Sequence, residues 1–177
     1  QEIHLQCKRG ELIALVAQVL LMLQGRIQEK KLKVENRLSK RAYAVFVDED
    51  KMKQVLINLL ENAIKFNKPE GSIVLDAEAL GNKVSVTIQD TGIGIPELYI
   101  GRVFERFFRV DKGRARQAGG TGLGLSIVKH IVEAHGETIS CQSRLHEGTQ
   151  FTFTLSLFPG GFNPLTVKTR DTYRTAI

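Results

Sequence analysis

Residues 90–96 read DTGIGIP and residues 119–126 read GGTGLGLS. The first stretch sets a carboxylate, Asp90, inside a glycine turn, where it can accept a hydrogen bond from an exocyclic amine while Gly92 and Gly94 let the backbone pass close to a flat base. The second offers backbone N–H groups unhindered by side chains at the start of a helical pattern, a seat for phosphate. A carboxylate inside one glycine turn and a second glycine-rich turn are together what an adenine nucleotide needs. A third segment, QVLINLLENAIKF at 54–66, is amphipathic, with Met52, Val55, Leu56, Leu59, Leu60 and Ala63 at spacings of three and four. At about 100° per residue, Asn58, Asn62 and Lys65 fall in one narrow sector opposite that stripe. A solvated helix face is better served by Glu, Lys or Arg than by two asparagines of poor helix propensity. An Asn oxygen, hard and neutral, suits a magnesium ion already holding phosphates and water.

The commoner phosphate loops do not fit. Gly119 and Gly124 have the outer spacing of a P-loop, but Leu125 stands where its lysine belongs. A dinucleotide fingerprint needs a strand directly before the glycines, and residues 108–118 are basic and polar without alternation. The HRD and DFG tripeptides of eukaryotic-type protein kinases are absent.

Taken together, these segments make the chain resemble the ATP-binding catalytic domain of bacterial two-component sensor histidine kinases, in the gyrase/Hsp90/histidine kinase/MutL superfamily. LLENAIKF is similar to that family's N box, DTGIGIP to its first glycine box, VFERFFRVD at 103–111 to its F box, and GGTGLGLSIVKHIVEAHG to its second glycine box, in the family's order. The resemblance implies that Asp90 holds the adenine amino group, that Gly92, Gly94 and Ile95 form the base pocket, and that Thr149 supports the contact through its hydroxyl. It implies Asn62 as the Mg²⁺ ligand, with Asn58, Lys65 and Phe66 along the phosphate and ribose side. Phe108 and Arg109 would stand at the hinge of a mobile ATP lid, Arg109 reaching the terminal phosphates. Gly120, Thr121, Gly122, Leu123, Gly124 and Leu125 would supply lid backbone contacts.

Four positions before Asn62, where the ATP-hydrolysing branches of the superfamily carry a water-activating glutamate, this chain has Asn58. An amide cannot take a proton from water at neutral pH. Transfer to a histidine asks less, because a neutral imidazole already offers a lone pair and catalysis then rests on alignment and charge neutralisation. Glu61 is adjacent, but at about 100° around the helix from Asn62 it should point away. The expected activity is therefore transfer of the ATP γ-phosphoryl group to a histidine on a separate dimerisation domain, and from there to a response regulator. The alternatives are a superfamily ATPase, opposed by Asn58, and a non-catalytic nucleotide-binding docking module, opposed by the intact boxes.

Residues 102–116 carry six basic side chains against two acidic ones, a loop that a triphosphate would draw inward about the glycines at 113, 119 and 120. Phe104, Phe107 and Phe108 are expected to anchor its base. None of His4, His130, His135 and His146 has the setting of a phospho-acceptor, so the acceptor domain lies elsewhere. The net charge of +6 is spread without an interleaved aromatic platform, which speaks against nucleic acid. Cys7 and Cys141 fit no metal spacing and read as reduced thiols. No run of 18 consecutive apolar residues occurs, and the start at Gln1 fits an excised piece; the resemblance implies the cytoplasmic part of an inner-membrane sensor, monomeric alone and homodimeric in the whole protein.

The elements that must position these groups follow from the pattern: a strand at 3–7, a buried helix at 11–29, strands at 31–37 and 43–47, and the Asn-bearing helix at 49–66 capped by Asp48 or Asp50. A hairpin turning at Gly81 and Asn82 comes next, then a helix at 121–135 ending at Gly136, and two closing strands. The expected fold is an α/β two-layer sandwich of Bergerat type, a mixed, mostly antiparallel sheet against three helices. Residues 1–158 would form one domain and 159–177, without period, a tail. Glu137, where the family often has a second glycine, is expected to touch no ligand contact.

Overall fold

The computed structural model describes residues 3–40, 42–110 and 121–162. The chain runs β1 (Lys8–Glu11), α1 (Leu12–Glu29), β2 (Lys33–Asn36), a single 3₁₀ turn at Arg37–Lys40, β3 (Tyr43–Val47), α2 (Glu49–Lys65), β4 (Ser72–Leu80), β5 (Lys83–Asp90), α3 (Glu97–Ile100), α4 (Gly124–Ala134), β6 (Ile139–Arg144) and β7 (Gly148–Phe162). The seven-stranded sheet has the order β1-β3-β7-β5-β4-β2, with β6 also paired to β7. Only β2 with β4 is parallel, so the sheet is mixed and mostly antiparallel, as expected. It packs against α1, α2 and α4 in a two-layer α/β sandwich, with α3 one added turn.

Alternation writes the central strands. Ile73, Leu75 and Ala77 on β4, Val84, Val86 and Ile88 on β5, and Phe151, Phe153 and Leu155 on β7 all point into one core, and the β4–β5 hairpin turns at Gly81 (φ +62°) as its GN pair requires. α1 answers with Leu12, Leu15, Val16, Val19 and Leu23, and α4 with Val128, Ile131 and Val132. α1 is the one helix among the described residues long and apolar enough to cross a membrane; here its stripe lies in the core.

α2 is fixed at both ends. The Asp48 carboxylate accepts from Lys51 N–H at 3.1 Å and from Gln6 N–H at 2.9 Å, and Glu49 and Asp50 suit the positive end of the helix. At the other end Lys30, just past α1, donates to the carbonyls of Ile64 (2.9 Å), Lys65 (2.7 Å) and Asn67 (3.1 Å). These are carbonyls that a helix end leaves without partners.

Several boundaries differ from the pattern. The first strand lies at 8–11 rather than 3–7, because β3 ends at Val47 opposite Lys8 and the residues before it run past the sheet to the α2 cap. α4 begins at Gly124, since Gly122 (φ +71°) breaks the helical path; it ends before Gly136 (φ +74°) as expected. Residues 159–162 extend β7. Val45 pairs with Leu157 and Tyr43 with Phe162, so the surplus on β7 is a bulge that absorbs Pro159 and the glycines after it. Residues 163–177 lie outside the described residues.

Candidate functional site

β5 ends on Asp90, and the antiparallel register places Asp90, Thr149 and Ser143 side by side across β5, β7 and β6. Asp90 is 7% exposed, and its Oδ1 accepts from Gly92 N–H at 2.7 Å. Burial pushes the Asp90 carboxyl above its ordinary value, against the hydrogen bonds from Gly92 and Thr149 that favour the anion. Cys141, a free thiol behind this row, is pushed up to about 12 by burial and by Asp90, so it stays protonated.

The glycine turn is wedged between two neighbours. A Cβ on Gly92 would stand 2.3 Å from the Phe66 carbonyl oxygen, and one on Gly94 (φ +68°) would stand 1.9 Å from that of Arg144. Ile93 N–H donates to the Phe66 carbonyl at 3.0 Å, while His146 N–H donates to the Ile93 carbonyl at 2.7 Å. Close approach of the protein's own backbone therefore already demands these two glycines. Ile95 N–H donates to Ser143 Oγ at 2.8 Å, tying the end of the turn to β6.

Asn58, Asn62 and Lys65 share the half-buried ridge of α2 that the turn reaches through Phe66. Asn58 donates to the Gln54 carbonyl at 3.0 Å, and its Oδ1 lies 3.2 Å from where a Cβ on Gly124 would sit, so it faces the start of α4. Lys65 Nζ lies 5.1 Å from the centre of the Phe66 ring. Burial lowers the Lys65 pKa, and the guanidiniums of Arg109 and Arg26 lower it further against Glu61. The charge of Arg109 is thus felt at the Lys65 end of the ridge. Glu61 forms an ion pair with Arg26 of α1 on the flank of the ridge, its charge still reaching Lys65.

The described ends of the segment between α3 and α4 meet. Phe107 N–H donates to the Gly122 carbonyl at 2.9 Å, and a Cβ on Gly122 would stand 2.9 Å from Phe107 Cα. Phe108 packs on Tyr99 (5.8 Å between ring centres) under the Arg102 guanidinium, 4.5 Å away. Phe104 packs edge-on against Phe151 at 6.1 Å. Phe107 does not anchor: φ of +63° turns it outward to 70% exposure, and buried Val103 takes the anchoring place. Thr121 is exposed, and Gly122, Leu123, Gly124 and Leu125 are half-buried at the α4 start. Gly120 lies outside the described residues, as do Lys112, Gly113, Arg114, Arg116 and Gly119.

This geometry has known counterparts. The family model described as "Histidine kinase-, DNA gyrase B-, and HSP90-like ATPase" matches residues 47–159. The chain belongs to that ATPase family. The sensor histidine kinase WalK of Bacillus subtilis is 43% identical over 131 residues, which cover 72% of this chain and 21% of WalK. The crystal structure of full-length ShkA in complex with AMPPNP superposes with a TM-score of 0.79 at 28% identity, over 93% of this chain and 34% of that one. Histidine kinase ThkA in complex with response regulator protein TrrA gives 0.71 at 28% identity, over 88% of this chain and 43% of that one. The chain spans between about a fifth and two fifths of the length of the first of its curated relatives.

Within this family member the structure adds residues that the motifs did not point to. Ser143 connects the glycine turn to Thr149, and the alternation of Ile139, Cys141 and Ser143 carried that signal. Asn67 knots the turn after α2: it donates to the Ser72 carbonyl at 3.0 Å, and its Oδ1 accepts from Lys68 N–H and Thr91 Oγ1. Glu137, 4% exposed, accepts from Lys83 (2.8 Å), Thr154 (2.6 Å) and Ser156 (2.6 Å). Its carboxylate joins the loop after α4 to β5 and β7, a place where glycine would offer nothing.

Proposed function

We propose that this chain binds ATP with Mg²⁺ between the α2 ridge, the two glycine turns and the lid, and presents the γ-phosphoryl group to a histidine on a separate helical dimerisation domain. The phosphoryl group then passes to an aspartate of a response regulator receiver domain. Asp90 accepts from the adenine amine, with Gly92, Gly94, Ile95 and Thr149 around the base. Lys65 and Arg109 supply positive charge at the phosphate end, beside Asn58 and Phe66. Phe108, Thr121, Gly122, Leu123, Gly124 and Leu125 shape the lid side, with Gly120 assigned there by resemblance alone.

The donor set fits a metal that arrives with its phosphates. Mg²⁺ takes oxygen ligands and keeps several waters, so one protein ligand on the ridge, the Asn62 carboxamide, suffices. Bound there, it would neutralise charge on the transferring group. No group of three His, Cys, Asp or Glu side chains that could hold a metal by themselves occurs among the described residues.

The observation that carries transfer over hydrolysis is the missing base. Asn58 is an amide, and the neighbouring carboxylate, Glu61, is held by Arg26 on the flank of the ridge. Water at the γ-phosphate would find no carboxylate to take its proton, while an incoming imidazole needs none. WalK of Bacillus subtilis is named a sensor histidine kinase, and the ThkA structure holds a response regulator, which supports both partners. By the same likeness the domain is cytoplasmic, part of a homodimeric sensor anchored at the inner membrane, with residues 1–158 as its catalytic unit.

The test supplies γ-labelled ATP to the chain with a separate helical domain bearing the acceptor histidine. Label should move to that domain as acid-labile phosphohistidine, with the chain alone unlabelled. Release of inorganic phosphate outpacing transfer would favour the ATPase reading instead.

A further inference from the structure

We infer that Ser143 is a positioning residue that sets the polarity of the base pocket by fixing the direction of the Thr149 hydroxyl proton. A serine hydroxyl has one hydrogen to give and two lone pairs to accept with. Ser143 Oγ meets three partners: it donates to the Gly148 carbonyl at 2.8 Å, accepts from Ile95 N–H at 2.8 Å, and lies 2.9 Å from Thr149 Oγ1. With its hydrogen given to a carbonyl that can only accept, the proton between the two hydroxyls must come from Thr149. Thr149 then has no hydrogen left for a ligand. The pairing of Gln89 with Gln150 brings Thr149 next to Asp90 on the neighbouring strand, and the backbone N–H of Thr149 donates to that carboxylate.

The pocket floor therefore presents acceptors only. An amine at the 6-position of a purine is complementary to it, and a 6-oxo group is repelled by it. Ser143 achieves this without touching the ligand. The same hydroxyl also holds Ile95, so one side chain aligns both walls of the pocket.

The inference rests on the nucleotide reading above, and its test separates the two. Binding of ATP and of inosine triphosphate, whose base carries oxygen in place of the 6-amine and a hydrogen on N1 that is the same for every variant compared, is measured by calorimetry on the full chain. In Ser143→Ala the Thr149 hydroxyl is free to rotate and donate to the oxygen. The ratio of the two dissociation constants should fall by about tenfold, the effect of one polar contact changing sign. Ser143→Thr, which restores a hydroxyl, should keep the ratio near that of the wild type. Because both ligands are read on the same protein, any partial loss of fold in a variant cancels in the ratio. ATP binding with the ratio unchanged in Ser143→Ala would overturn this inference alone. A wild-type chain that binds neither nucleotide would overturn the nucleotide reading and this inference with it.

Discussion

At the scale of single residues, the site is a buried carboxylate beside a ridge of amides and cations. Asp90 matters because its charge is kept in a place that disfavours it. Burial raises its pKa above the ordinary 3.8. The sign follows: burial favours the protonated form more than it would be favoured on an exposed carboxyl, so stability from this group is fully present below 3.8 and is lost as the pH rises through the raised value. A ligand amine reverses that preference by donating to the anion. ATP affinity should therefore fall on acidification at a higher pH than an ordinary carboxylate would dictate, and calorimetry across pH 4 to 7 checks it, those being rough bounds around the carboxylate range. Affinity flat across that window would contradict the role of Asp90. The residue types of this site were legible in the sequence, since a carboxylate among glycines and two asparagines on one helix face are chemistry before they are structure. The hidden part was the second layer. Ser143, Asn67 and Glu137 act through partners brought from distant parts of the chain; the alternation along β6 shows that Ser143 faces inward, but not what it meets there.

At the scale of elements, the site depends on where α2 ends. Lys30 gathers three carbonyls there, and Phe66 and Asn67 then hold the glycine turn. Lys30→Met keeps the aliphatic stem but strips those carbonyls of their donor. It should cost about 1–3 kcal/mol in denaturant unfolding, because polar groups at a helix end lose a charged partner. Glu137 makes a parallel case at the far end of the sheet. Burial alone would raise its pKa, but donation by Lys83, Ser156 and Thr154 outweighs this and lowers it below the ordinary 4.5. Its contribution to stability is thus full above that ordinary value and lost as the pH falls through the lowered one. Glu137→Ala should destabilise by about 2 kcal/mol at neutral pH, with the difference shrinking on acidification, as urea unfolding at several pH values would show. Elements with strong local periodicity, such as α2 and the β4–β5 hairpin, were readable from the chain nearly to the residue. Elements set by distant pairing were not. β1 sits where β3 allows it, and the run after Phe158 joins β7 only because β3 extends far enough to pair with Phe162. Phe107 misled for a related reason, since its outward turn follows from a left-handed backbone where it meets Gly122.

At the scale of the molecule, the proposed transfer needs an acceptor histidine. His135 holds structure: its Nε2 accepts from Asp48 N–H at 3.1 Å and its Nδ1 meets the Ile131 carbonyl at 2.8 Å, so both ring nitrogens are engaged at the junction of α4 and α2. His146 sits in the tight β6–β7 connection at φ +68°. Incubated alone with labelled ATP, the chain should acquire no phosphohistidine, and stoichiometric label would show that one of its own histidines is the acceptor. The matched residues make up only 20% to 40% of these relatives, which leaves room in them for the sensing and dimerisation parts that a transfer reaction of this kind needs. Everything in the account, however, begins with the nucleotide. Calorimetric titration of a non-hydrolysable ATP analogue into the wild-type chain and into Asp90→Asn, with and without Mg²⁺, tests that beginning. The account predicts Mg²⁺-dependent binding by the wild type and a loss of about 100-fold in Asp90→Asn, whose amide must set a donor against the adenine amine. Equal affinity in the two proteins, or none in either, would contradict it.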